Sequence, residues 1–199
     1  MKKFIKLSIV SLVVIVVSAV MVVFSGVFNV SAGWEDPPLL RWLLASTREA
    51  SIEVRAKDID APKLDRVTQV RNGFRSYREM CAICHTPPGK SNSPITLGLN
   101  PPPPDLSFVN EHAMSDSEIF WVIKNGIRMT GMPAWGPTHD DNEIWDIVAF
   151  VKALPSIDAD AYRELDKKTL SGHEHSSSTE LNSGSVHIQR NDHGGHTDK

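Results

Sequence analysis

Cysteine is scarce in this chain of 199 residues, which holds only 2. That count excludes a second CxxC pair, and with it a four-thiolate zinc site. His112 and His139 stand too far apart to complete a Cys2His2 site at finger spacing. An excess of basic charge is also missing. The formal net charge is −3, so the basic face that nucleic-acid binding requires is not supplied. No run alternates apolar and polar residues long enough to claim a β-sheet, and no segment repeats. No cysteine directly follows the N-terminal apolar run, which argues against a lipid anchor on a terminal cysteine. Large apolar residues are nearly absent from the last thirty positions. What remains is room for one globular domain with accessory segments.

The two cysteines stand together in Cys81-Ala82-Ile83-Cys84-His85. Two thiols three positions apart, followed directly by a histidine, form the c-type haem attachment pattern. Each thiol adds across one vinyl group of the haem, and the adjacent imidazole is then held beneath the iron. A lone CxxC can also serve as a thiol–disulfide pair, driven by a lowered thiol pKa, or as half of a zinc site. An exported chain favours haem.

Export is written at the start. Lys2, Lys3 and Lys6 precede an apolar run from Leu7 to Val30. Such a run is long enough for a bilayer core of about 30 Å, whereas a signal-peptide core is about 7–15 residues. It reads as an uncleaved transmembrane anchor within residues 1–32, although Val30-Ser31-Ala32 also resembles a cleavage site. The lysines stay cytoplasmic by the positive-inside rule, which puts everything after Ser31 outside.

Residues 33–65 read as a juxtamembrane helix and linker. The helix opens at Pro37-Pro38, carries Leu39, Leu40, Trp42, Leu43 and Leu44, and reaches about Lys57. It can lie on the lipid surface with Trp34 and Trp42 at the interface, or pack on the following domain. That domain covers 66–155. Its first helix is expected from Val67 to Met80, with Gly73, Tyr77 and Cys81 on one face. A region rich in proline and glycine follows His85, including Pro101 to Pro104, and is expected to be an irregular loop without a helix. Ser115 and Glu118 make a capping box for a helix that Asn125-Gly126 ends. A last strong helix begins near Asp140 or Asp141, carries a wide apolar arc, and stops before Pro155. A short helix from Asp158 to Lys168 lies within residues 156–170.

Haem iron held by one histidine leaves a second axial position. Met132, in Gly131-Met132-Pro133, is the best candidate: the glycine permits close approach and the proline stiffens the chain. A thioether is soft and raises the reduction potential relative to two histidines. Met80, Met114 and Met129 read as core filler, and His112 and His139 as surface-turn residues.

These motifs, with Asp146-Ile147-Val148-Ala149-Phe150-Val151, resemble the class I cytochrome c family over roughly Arg66 to Leu154. The resemblance implies an all-α fold around one covalent haem c, with His85 and Met132 axial. It also implies that Gly73 and Tyr77 cross against Ile147 and Phe150. Residues from Asn125 through Trp135 look like those of bacterial membrane-anchored members that serve respiratory chains. The expected protein is therefore a periplasmic one-electron carrier tethered to the bacterial inner membrane. It would work with redox partner proteins, without nucleic acid or a small-molecule substrate. The alternatives are a haem subunit of a larger dehydrogenase or oxidase, and a peroxidase or gas-binding haem protein with an open site.

Residues 171–199 form a Ser-, Gly- and His-rich tail, expected to be disordered. His173-Glu174-His175 and Asp192-His193-Gly194-Gly195-His196 can hold a divalent metal such as copper, zinc or nickel, or be solvated without function.

Overall fold

The computed structural model describes residues 2–64, 67–108 and 114–180, with side chains described as far as Thr169. Among these residues all regular structure is helical and no strand occurs. The helices are α1 (Lys2–Phe24), α2 (Pro38–Ala56), α3 (Val67–Ser76), α4 (Pro94–Gly98), α5 (Asp116–Asn125), α6 (Asp141–Ala153) and α7 (Ala159–Glu180).

Helix α1 has no buried residue, and its valines, leucines and isoleucines face outward. Its 23 residues span about 35 Å at 1.5 Å each, enough to cross a bilayer core. The apolar run continues to Val30, and the helix itself ends at Phe24. A turn follows, with Gly26 at φ +69°. Helix α2 begins with Pro38 at its first position, where a missing N–H costs nothing.

The core is built on α3 and α6. A Cβ placed on Gly73 would sit 1.9 Å from the Asp146 carbonyl oxygen and 2.9 Å from Phe150 Cβ. The two backbones therefore meet there with no side chain between them. Around this crossing the aromatics interlock: Phe74 and Phe150 are edge-on with centroids 5.4 Å apart, and Tyr77 lies 5.0 Å from Phe150. Tyr77 and Ile147 are fully buried in this core, and Gly73 and Tyr77 both meet Phe150, as the cytochrome resemblance implies. Tyr162 of α7 closes the cluster over Phe74, also at 5.4 Å. On the far side of α6, Trp145 stacks on Phe120 of α5 at 4.1 Å. Both α5 and α6 start on full capping boxes, Ser115 with Glu118 and Asp140 with Glu143.

Three expectations change. The first core helix is not a plain α-helix to Met80: α3 ends at Ser76 and a turn of π-helix, Tyr77–Cys81, completes it. In that turn the Ala82 N–H donates to the Tyr77 carbonyl at 2.9 Å, one residue beyond α spacing. The loop after His85 does contain a helix, the one-turn α4. Pro94 is tolerated because it stands in the first turn behind the Ser93 cap. The tail expected to be disordered from Ser171 is helical to Glu180. Helix propagation costs little once a turn exists, and no proline interrupts the segment. Residues 181–199 lie outside the described residues.

Substituting Gly73 by alanine tests the crossing. Helix propensity would gain about 1 kcal/mol. The added methyl would meet a backbone oxygen that cannot rotate away, and overpacking of this kind costs about 1–3 kcal/mol. The steric term should win, so Gly73→Ala is expected to lower the chemical denaturation midpoint measured by circular dichroism.

Candidate haem-binding site

The Cys81–His85 turn is the direct continuation of the π-helical turn. His85 N–H and Cys84 N–H both donate to the Cys81 carbonyl, at 2.8 and 3.0 Å. Cys81 is buried and Cys84 half-buried, and the two are not joined in a disulfide. Burial, with Cys84 alongside, pushes the Cys81 thiol up to about 12. A thiol–disulfide exchange pair needs the opposite shift, toward thiolate at neutral pH. A zinc site finds no support either: among the described residues no group of three or more His, Cys, Asp or Glu converges.

Three contacts hold the turn from outside. The His85 ring Nδ1 lies 2.9 Å from the Pro104 carbonyl oxygen. A carbonyl only accepts, so Nδ1 carries the hydrogen and the lone pair is left on Nε2. This is how a protein orients an imidazole as a metal ligand. Tyr77 Oη, from inside the core, donates to the His85 carbonyl at 2.8 Å. Helix α4 supplies the third brace: Ser93 Oγ donates to the Ile83 carbonyl at 2.6 Å, and Thr96 Oγ1 donates to the Cys84 carbonyl at 3.0 Å. Ser93 and Thr96 escaped the sequence reading. The Ser93-Pro94 pair, a cap residue followed by proline, was the signal available.

Met132 lies on the loop that leaves α5. Gly126 ends α5 at φ +66°, and the loop returns so that Trp135 N–H donates to the Ile123 carbonyl and Gly136 N–H to the Lys124 carbonyl, at 3.1 and 2.9 Å. Within it, Met132 N–H donates to Thr130 Oγ1 at 3.1 Å, and Thr130 Oγ1 donates to the Ile127 carbonyl at 2.7 Å. Met132 is half-buried against the core together with Trp135. A Cβ on Gly131 would fall 2.5 Å from Leu99 Cδ2, so the residue beside Met132 packs on the end of α4. Leu99 also lines a cleft of about 300 Å³ with Thr96, Leu97, Pro103 and Pro104. Thus α4 touches both segments that carry candidate ligands.

Other expected site residues divide. Met80 and Met114 pack against the core as filler. Met129 does not: it is 87% exposed with φ +61°, because the tight return after Gly126 turns it outward. His139 is half-buried, its ring edge-on to Trp135 at 5.6 Å. His112, His187, His193 and His196 lie outside the described residues, and nothing is described of the side chains of His173 and His175.

The donor set fits haem. It offers two thiols at attachment spacing, an imidazole with its Nε2 lone pair unengaged by Pro104, and a thioether on a braced loop. Ser107 Oγ, three residues past Pro104, is buried without a partner among the described residues and suits a polar substituent. This all-helical segment, with the Cys81–His85 turn inside it, matches a c-type cytochrome domain. Residues 68–151, under half of the chain, match the family model described as cytochrome c oxidase, cbb3-type, subunit III. Curated protein sequences yielded no match to the chain. A domain of this class carries covalently bound haem c and transfers electrons rather than remaking substrate bonds.

Two measurements probe this region. Thr96→Val keeps the shape but strands the Cys84 carbonyl. It is expected to lower stability by about 1 kcal/mol in denaturant melts. The chain has only 2 tyrosines, and both phenols are raised by burial, Tyr162 to about 12 with Asp166 adding to it, and Tyr77 further by Tyr162. The unfolded chain ionises near the ordinary value of 10.0, so the fold binds more protons above it. Stability is expected to be level with respect to these groups below pH 10.0 and to fall as pH rises toward 12. Ultraviolet titration should find no tyrosinate until that window.

Proposed function

We propose that this chain is a one-electron carrier tethered to the bacterial inner membrane, with its haem domain in the periplasm. A single haem would be held by Cys81 and Cys84 and ligated by His85 and Met132. The carrying observation is the 2.9 Å contact of His85 Nδ1 with the Pro104 carbonyl, which fixes the imidazole in the tautomer that ligates through Nε2. When bound, haem c supplies a ferric–ferrous couple that changes by one electron.

The protein's own groups then set how that couple behaves. His85 gains basicity from its hydrogen bond to Pro104. Met132 offers a soft thioether, which favours the reduced form and raises the potential. Occupying both axial positions leaves no open site for a substrate or gas. Helix α1 supports the tether by length and composition, and Lys2, Lys3 and Lys6 support a cytoplasmic N-terminus. A signal sequence passes the same length test, and intact mass separates the two. Tethering would confine the search for redox partners in the inner membrane or periplasm, raising their effective concentration in a respiratory chain.

A second reading has a specific observation in its favour. The matched family is described as an oxidase subunit, so the chain can be a haem subunit of a larger oxidase or dehydrogenase. Gentle detergent extraction followed by native sizing separates the readings, a lone monomer favouring the independent carrier.

The ligand assignment is tested on the purified protein. A pyridine haemochrome spectrum with intact mass should report one covalent haem, lost when Cys81 and Cys84 are both replaced by alanine. The native protein should be low-spin and bind carbon monoxide slowly when reduced. Met132→Ala should turn high-spin and bind carbon monoxide rapidly, and Met132→His should lower the potential. Rapid binding by the unsubstituted protein would overturn the carrier reading in favour of a gas-binding or peroxidase role.

A further inference from the structure

Helix α2 has two unlike faces. Ile52 and Ala56 are buried, and α2 packs on α5. The opposite face carries Leu39, Leu43, Ala50 and Val54, at steps of 4, 7 and 4 residues, which share one side of an α-helix. Every one of these is exposed: Leu39 is 74%, Leu43 52% and Val54 60% accessible. Leu44 and Trp42 flank the stripe, at 50% and 64%. A helix so apolar on the side away from its own domain is built to be covered by something else.

The chain's path says what covers it. Only the thirteen residues 25–37 separate α1 from α2. Fully extended, the ten steps from Phe24 to Trp34 reach at most about 35 Å. Turns at residues 25–33 shorten that span, through Ser25 Oγ to the Val22 carbonyl and Gly33 N–H to Ser31 Oγ. Trp34 is then fastened to the haem domain, its carbonyl accepting from Asn100 Nδ2 at 2.7 Å. Domain and α2 are thus held close to wherever α1 ends. The outward face carries no charged residue along the stripe, as a surface in contact with acyl chains requires. Trp34 and Trp42, both largely exposed, suit the interface between headgroups and acyl chains.

We propose that α2 lies flat on the outer surface of the bilayer that α1 enters, with Leu39, Leu43 and Val54 in the lipid and the haem domain seated on its other face. This rests on the reading of α1 as a membrane anchor. In that arrangement the domain does not swing on a flexible tether; it presents one fixed side to neighbours in the membrane plane.

The test uses the full haem-loaded chain in vesicles of phosphatidylcholine and phosphatidylglycerol. Leu39→Cys, Leu43→Cys and Glu49→Cys are made singly and spin-labelled, Cys81 and Cys84 being consumed by haem. Collision rates with oxygen, which concentrates in lipid, and with a water-soluble nickel chelate are then compared. Labels at positions 39 and 43 should favour oxygen, and the label at 49, toward the buried face, should favour nickel. Equal nickel access at all three overturns the proposal while leaving the anchor intact. Shielding of positions 39 and 43 from both probes overturns it too, since a protein partner would then be the cover. A chain that stays in the aqueous phase overturns the proposal and the anchored reading together.

Discussion

Everything in the haem domain is positioned from the place where α3 and α6 touch backbone to backbone. Gly73 makes that contact possible, because any side chain there would collide with the Asp146 carbonyl. Once the helices are this close, Phe74, Tyr77, Phe150 and Tyr162 pack around the crossing edge to face, the favoured aromatic geometry, with Tyr77 and Phe150 tilted at 52°. Tyr77 is then locked with its hydroxyl inside the core. The buried phenol needs an acceptor, and the His85 carbonyl provides it. A packing constraint between two helices thereby becomes a constraint on the candidate iron ligand eight residues later.

The π-helical turn Tyr77–Cys81 is the joint between packing and chemistry. It inserts one residue into the helical ladder at the point where the buried face must release the chain into the Cys81–His85 turn. Cys81 stays on the buried side while Cys84 and His85 emerge half-exposed. Helix α4 then serves as a strut. Its cap and first turn hold the carbonyls of Ile83 and Cys84, and Leu99 at its end packs against Gly131. The two segments with candidate ligands come from distant parts of the sequence, yet one short helix meets both. That arrangement is suited to keeping both ligands in place through a change of one charge, which keeps reorganisation small.

Much of this was legible beforehand, for reasons that are local. The capping box at Ser115, the start of α6 near Asp140, its wide apolar arc, and the Gly73–Tyr77–Cys81 spacing each depend on residues within one or two turns of one another. The attachment motif is equally local, and Met132 stands out as a candidate ligand only through its neighbours Gly131 and Pro133. What escaped depends on contacts across the fold. The one-turn α4 is too short to stand by periodicity, and it is held by hydroxyls bonded to carbonyls 10–13 residues earlier. Met129 read as filler because methionine usually is, and the return of the chain onto α5 put it outside instead. The helix continuing to Glu180 ran against composition, since serine and histidine are weak helix formers that a docked first half can nonetheless carry along.

The same distinction bears on the juxtamembrane segment, where the sequence left lipid surface and domain packing as rivals. The structure removes the rivalry, because α2 has two faces. Ile52 and Ala56 meet the domain, and Ser117 Oγ adds a bond to the Ile59 carbonyl just beyond the helix. Leu39, Leu43 and Val54 face away. If a bilayer covers that outer stripe, α2 is a rigid spacer of one helix diameter, about 10–12 Å, between lipid and haem domain. Electron transfer falls off steeply with distance, so a carrier confined at a set height can meet only partners whose own redox centres open at that height. The selection would come from geometry rather than from a high-affinity interface, and it needs the two-faced helix as much as it needs the haem.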